Sequence, residues 1–130
     1  MITAVIMTAV LSVPPTVPTD RLLDAMYTVE SSRGKVLVGD GGKAIGPYQI
    51  WYKYWKDAVE YDPSIGGVYR DCMDKAYSER IVWAYWCRYA PKGATVQDLA
   101  RIHNGGGSRG HLNPNTIKYW NKIQKELHKK

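Results

Sequence analysis

Glu30 falls four residues after Met26, seven after Leu23 and eight after Leu22, so an α-helix through this stretch puts its carboxyl on the side of the apolar stripe. A carboxylic acid among apolar groups, at the negative end of a helix dipole, holds its proton to higher pH than one in water. A proton kept near neutrality is what a general acid needs in order to protonate a leaving oxygen. The plainer reading is an acid that reaches past the stripe to pair with Arg21 or Arg33.

The elements that must position this group can be read from period and punctuation. Pro18-Thr19-Asp20 followed by Leu22, Leu23, Met26 and Val29 predicts a capped amphipathic helix ending near Ser32-Arg33-Gly34. The next segment, KVLVGDGGKAIG, holds a short β-type run, an Asp-Gly-Gly turn and a weaker return strand, which predicts a hairpin. A second helix is expected within Ile50 to Tyr61, stopping at Asp62-Pro63. Val68 to Tyr89, dense in Tyr, Trp and Ala, is expected to supply the central buried helix. Thr95 and Asp98 match a capping box, and Val96, Leu99, Ala100 and His103 follow at helical spacing, placing His103 on an inner stripe that ends in Asn104-Gly105-Gly106-Gly107. A last helix from about Pro114 is expected to close the core with Ile117, Trp120, Ile123 and Leu127. The fold class is α+β, mainly α, with a small β-hairpin after the helix that carries Glu30.

At 130 residues, with 45% apolar and 23% charged residues, the chain has the composition of one globular domain. There is no Phe, but five Trp and ten Tyr give rings with polar tips, suited to a core edge or a half-wet cleft. The net charge of +6 favours anionic partners. No DNA- or RNA-binding signature accompanies it, so nucleic acid is not expected. The opening MITAVIMTAVLS is shorter than the ~20 apolar residues of a spanning helix, so stable membrane insertion is not expected. It fits the apolar region of a signal peptide without the usual basic start. Residues 1–18 are therefore expected to be a signal peptide or disordered leader ahead of a domain at 19–130, and the product to be secreted or periplasmic. Cys72 and Cys87 form no zinc or redox motif. A helix capped by Asp74 separates Cys87 from that cap by roughly 20 Å, far beyond the ~7 Å reach of a disulfide, so both thiols are expected free.

Glu30-Ser31-Ser32, the glycine-bearing hairpin, Gly46-Pro47-Tyr48-Gln49-Ile50, the downstream Arg101-Ile102-His103-Asn104-Gly105-Gly106 and the final Tyr119-Trp120-Asn121-Lys122 together resemble the invertebrate-type (destabilase) lysozymes. The resemblance runs from about Tyr27 to Lys122, and its specificity lies in several motifs occurring in the right order. It implies a lysozyme-like fold and a glycosidase acting on peptidoglycan or a related amino-sugar polymer, with no cofactor or metal. It also implies that Glu30 is the general acid and that Tyr48, Gln49, Ile50, His103, Asn104 and Gly105 line the sugar cleft. Tyr48 read by itself is as well a core residue, His103 a core histidine, and Asn104-Gly105 a helix C-cap.

Glycosidases commonly use a second carboxylate. Asp40 is the only acid between Glu30 and the GPYQI segment and resembles the family's second carboxylate, although the interval here is shorter than is usual there. Asp before Gly-Gly is also what a tight turn favours. Invertebrate-type lysozymes are rich in disulfides and this chain is not, so its stability must come from its Trp, Tyr and Leu core, and the isopeptidase activity ascribed to some members does not transfer. Three readings follow: a hydrolase using Glu30 and Asp40, a lytic transglycosylase using Glu30 alone, and an inactive wall-binding protein. The oligomeric state is not legible in the sequence.

Overall fold

The first helix, α1 (Thr19–Ser31), buries Leu22, Ala25 and Met26 and leaves Leu23 and Val29 half-buried. The computed structural model describes residues 19–129, so the expected leader at 1–18 lies outside the described residues. The helix ends without a glycine cap. Ser32 and Arg33 take left-handed backbone, φ 53° and 60°. Their N–H groups donate back to Thr28 O and Tyr27 O at 3.0 and 3.1 Å, the pattern that satisfies the last carbonyls of a helix. This fixes Glu30 within the final turn, one residue before the helix stops.

The hairpin forms and is joined by a third strand. Strands β1 (Val38–Gly39), β2 (Ala44–Ile45) and β3 (Ile50–Trp51) make an antiparallel sheet in that order, with Val38 opposite Ile45 and Ala44 opposite Trp51. The Asp-Gly-Gly turn joins β1 to β2, with Gly41 and Gly42 at φ 66° and 94°. Gly46-Pro47-Tyr48-Gln49 then reverses the chain, Gln49 N donating to Gly46 O at 3.1 Å. At Gly46, φ is 85° and a Cβ would collide with the Cys72 carbonyl, so only glycine fits there. Ile50 and Trp51, ahead of the helix expected within Ile50 to Tyr61, form the third strand, because this turn has already put them beside β2.

Helix α2 (Tyr52–Tyr61) stops before Pro63 as expected. Within Val68 to Tyr89 the helix starts at the Asp74 cap considered in the sequence, after a separate short turn. A 3-10 segment, Tyr69–Met73, ends where Asp74 goes extended, and the Asp74 side chain accepts from Tyr77 N at 2.9 Å to start α3 (Lys75–Tyr89) afresh. A local cap thus outweighs the continuous helical composition. Helix α3 is central, burying Ile81, Val82, Ala84, Tyr85 and Trp86. Trp86 Nε1 donates to Leu99 O at 2.9 Å, tying it to α4 (Val96–Gly105), whose Thr95 and Asp98 form the expected capping box.

The last helix, α5 (Ile117–Leu127), packs on α1 and α4. Its buried residues are Tyr119 and Ile123; Ile117, expected in the core, is exposed, while Trp120 and Leu127 are half-buried. The 3-10 turn Pro114–Thr116 sets this phase, because Arg101 Nε donates to the buried Thr116 hydroxyl at 2.7 Å and fixes where the helix begins. Cys72 and Cys87 are both free thiols.

Candidate active site

Between the sheet, α2, α3 and the glycine turn after α4 lies a cleft of about 780 Å³. Of the residues singled out in the sequence, Glu30, Asp40, Gln49, His103, Asn104 and Gly105 line it. Tyr48 and Ile50 do not. Both are fully buried beneath it, and the Tyr48 hydroxyl donates to Glu79 Oε2 at 2.6 Å. Their contribution is to the floor's packing, because in the GPYQI turn the chain buries these two side chains and turns Gln49 between them toward the opening.

Glu30 faces a buried polar cluster drawn from three other helices and one turn. His103 Nε2 lies 3.2 Å from Glu30 Oε2 and 3.1 Å from the Tyr48 carbonyl oxygen. A carbonyl only accepts, so Nε2 carries a hydrogen and donates it to Tyr48 O, while Glu30 Oε2 stands in close contact with the same nitrogen outside hydrogen-bond geometry. The other ring nitrogen, Nδ1, lies 2.7 Å from the Tyr54 hydroxyl, which donates to it when the ring is neutral. Burial, reinforced by the neighbouring Tyr85 and by the Glu30 charge, pushes Tyr54 well above the usual phenol range, so its proton stays on oxygen and remains available for this bond. The Tyr119 hydroxyl is buried too, with no partner in hydrogen-bond geometry, and burial followed by the Glu30 charge raises it strongly as well. Glu30 is thus set among two phenols that stay neutral and one imidazole whose Nε2 lies 3.2 Å from its Oε2. The chain closes this cluster only by docking α4 and α5 against the end of α1.

Asp40 sits across the cleft in the exposed turn between β1 and β2, at φ 50°. Gln49 has φ 53°, so two of the four non-glycine residues in left-handed backbone among the described residues line this cleft. Backbone held this way costs ~1–3 kcal/mol per residue and concentrates at functional sites. Among the described residues no hydrogen bond or ion pair engages the Asp40 carboxylate, and it is open to solvent and ligand. Gly39 stands beside Gln49 so closely that a Cβ there would strike the Gln49 amide oxygen.

Sequence reasoning missed the opposite wall. Lys53, Tyr54 and Asp57 share one face of α2, and Tyr85 and Tyr89 one face of α3. The i, i+4 spacing of Lys53 with Asp57 and of Tyr85 with Tyr89 was the available signal. Tyr54 stacks on Tyr85 with ring centroids 3.6 Å apart, and the Tyr85 hydroxyl accepts from Gly107 N at 2.7 Å, fastening the glycine turn to this wall. Gly105 is required by packing as well as placement, since a Cβ would meet Thr116 Cγ2 at 2.7 Å. Among the described residues no cluster of His, Cys, Asp and Glu is arranged to hold a metal ion, and no helix is long and apolar enough to cross a membrane.

The chain has recognisable relatives. "Lysozyme 1" of Crassostrea virginica is 40% identical over 83 residues, covering 61% of this chain and 42% of that protein. A lysozyme of Magallana gigas is 34% identical over 85 residues, covering 62% of this chain and 58% of the other. The chain therefore spans about half the length of these curated relatives. A crystal structure of inhibitor-bound lysozyme from Meretrix lusoria superposes with a TM-score of 0.70 at 31% identity, covering 87% of this chain and 93% of that one, so the fold is lysozyme-like. The family model for destabilase matches residues 19–126, nearly the whole described range, and the chain belongs to the destabilase family.

Proposed function

We propose that this chain is a lysozyme-type glycoside hydrolase that cleaves the β-1,4 bond between N-acetylmuramic acid and N-acetylglucosamine in bacterial peptidoglycan. The observation that carries the reading is the setting of Glu30: a carboxyl lining the cleft, with the Nε2 of the buried His103 3.2 Å from its Oε2. In this reading Glu30 carries the acid proton. That proton is then offered to a glycosidic oxygen, which departs as a hydroxyl while positive charge builds on the sugar ring. Asp40, in the β1–β2 turn of the same cleft and without a partner among the described residues, is the carboxylate that stabilises or captures this charge until water adds to the anomeric carbon and a proton returns to Glu30. Relatives carrying the name lysozyme support the same chemistry. We place the protein with its substrate, outside the cytoplasmic membrane.

The test is lysis of purified bacterial wall by the native protein and by Glu30→Gln. This change removes the proton and keeps the shape, so lysis should fall by ~10²–10⁴ with circular dichroism unchanged. Retention of activity within tenfold would remove Glu30 from the chemistry. Mass spectrometry of the digest should show hydrated reducing ends; anhydromuropeptides, lighter by one water, would assign the chain to the lytic transglycosylases instead.

A further inference from the structure

Asp57 stands in the same cleft as Glu30, on the wall built by α2 and α3. Its side chain is only 13% exposed, which is unusual for a carboxylate without a strong partner. The one ion pair it makes among the described residues is loose, 3.6 Å to the ammonium of Lys53, a side chain that is itself 84% exposed. The nearest guanidinium is engaged elsewhere: Arg88 donates to the Asp57 backbone carbonyl at 2.7 Å and pairs with Glu60 at 3.5 Å. A single neutral donor, the Tyr89 hydroxyl, meets Asp57 Oδ2 at 3.0 Å. A carboxylate can accept about four hydrogen bonds, so this one keeps acceptor capacity in a position that is largely desolvated.

Its frame is rigid. Tyr85 and Tyr89 pack together with centroids 4.8 Å apart, Tyr85 is stacked on Tyr54, and Gly107 is bonded to the Tyr85 hydroxyl. A fixed carboxylate with spare lone pairs beside a half-buried phenol ring is the arrangement that binds a sugar. The ring's apolar edge lies along the pyranose, and the carboxylate accepts from adjacent hydroxyls or an amide N–H. The same negative charge repels a ligand unit that carries a carboxylate of its own.

We propose that Asp57, framed by Tyr89, is a specificity-determining residue that binds an uncharged or amino-bearing hexosamine unit of the substrate and disfavours a unit carrying an acidic substituent. Along a wall glycan, this seats N-acetylglucosamine against the α2–α3 wall and so sets the register in which the alternating polymer crosses Glu30. The proposal rests on the glycosidase reading.

The experiment is calorimetric titration in a Glu30→Gln background, which binds without turnover, using triacetylchitotriose and its fully deacetylated triamine. Asp57→Asn should still accept from the Tyr89 hydroxyl, so the wall should stay intact. Losing the charged acceptor should weaken the neutral trimer by about tenfold or more and the triamine by a larger factor. Binding of both ligands within twofold of the parent would overturn the proposal. So would an Asp57→Asn protein whose circular dichroism collapses, since Asp57 would then be a structural residue. If the Glu30→Gln parent binds neither trimer, the glycosidase reading falls and this inference falls with it; parental binding without an Asp57 effect removes the inference alone.

Discussion

Replacing His103 with phenylalanine keeps the volume of the ring and removes its hydrogen bonds, so it isolates what the imidazole does for Glu30. Three partners are affected: the Tyr54 hydroxyl, the Tyr48 carbonyl and the Glu30 carboxylate. The first two are buried and would be left unpaired, at ~1–3 kcal/mol each, or about 2–6 kcal/mol together. A domain of this size is stable by ~5–15 kcal/mol, so the variant should fold but melt about 10–20 °C lower. The third partner reports on function. His103 Nε2 stands 3.2 Å from Glu30 Oε2 without hydrogen-bond geometry in the resting structure. If it turns its hydrogen onto the carboxylate as Glu30 ionises, that bond to a charged group is worth ~1.5–3 kcal/mol, which corresponds to a loss of about ten- to a hundredfold in kcat in the variant. The assay is turbidity decay of wall suspensions at saturating substrate, at a temperature where circular dichroism shows both proteins folded. His103→Gln, whose amide can still donate, should recover most of the rate. Folded His103→Phe with kcat within threefold of the native value would refute the reasoning, since the imidazole would then serve only the core.

Asp40→Asn should cost nearly as much activity as Glu30→Gln in a hydrolase, and near-native lysis would reduce Asp40 to a turn residue. Gly46→Ala forces a Cβ into the Cys72 carbonyl at φ 85°; a loss of about 2–5 kcal/mol in denaturant unfolding is expected, and a change below 1 kcal/mol would contradict the close approach. Burial pushes the Cys72 thiol from 9.0 up to about 12. Between these values the unfolded chain releases a proton that the folded one keeps, so stability is full below pH 9 and falls as pH rises toward 12; Cys72→Ala should flatten that decline in urea titrations. Thiol titration in denaturant without reductant should count two free groups, and a count of zero would disprove the separation of Cys72 from Cys87.

Much of this was legible because it is local. The α1 stripe announced itself through Leu22 and Met26, the α4 capping box through Thr95 and Asp98, and the turn through Asp40-Gly41-Gly42, each within a few residues of chain. Glu30 was found for the same reason, since the helix that carries it is regular. What escaped was decided by contacts between distant segments. Tyr48 reads as a ligand contact until Glu79, 31 residues away, takes its hydroxyl beneath the floor. The third strand exists because Gly46 can press against Cys72, and no pattern around Ile50 encodes that. No motif in the sequence singles out Asp57; Tyr89, 32 residues on, makes it part of the cleft wall.

The tie between the first and last helices has a consequence for the order in which the protein is made. Arg21 donates to the Leu127 carbonyl across 106 residues, and His103 reaches the floor across 55. Contacts so far apart in sequence close late, because each needs a long loop to lose its freedom first. A chain still emerging from the ribosome can already wind α1 and carry Glu30 in place, but it has neither the donor nor the roof that α4 and α5 provide. On the proposed glycosidase reading, competence would therefore arrive only with the C-terminal helices, and a fragment that stops before them would hold Glu30 without its surroundings.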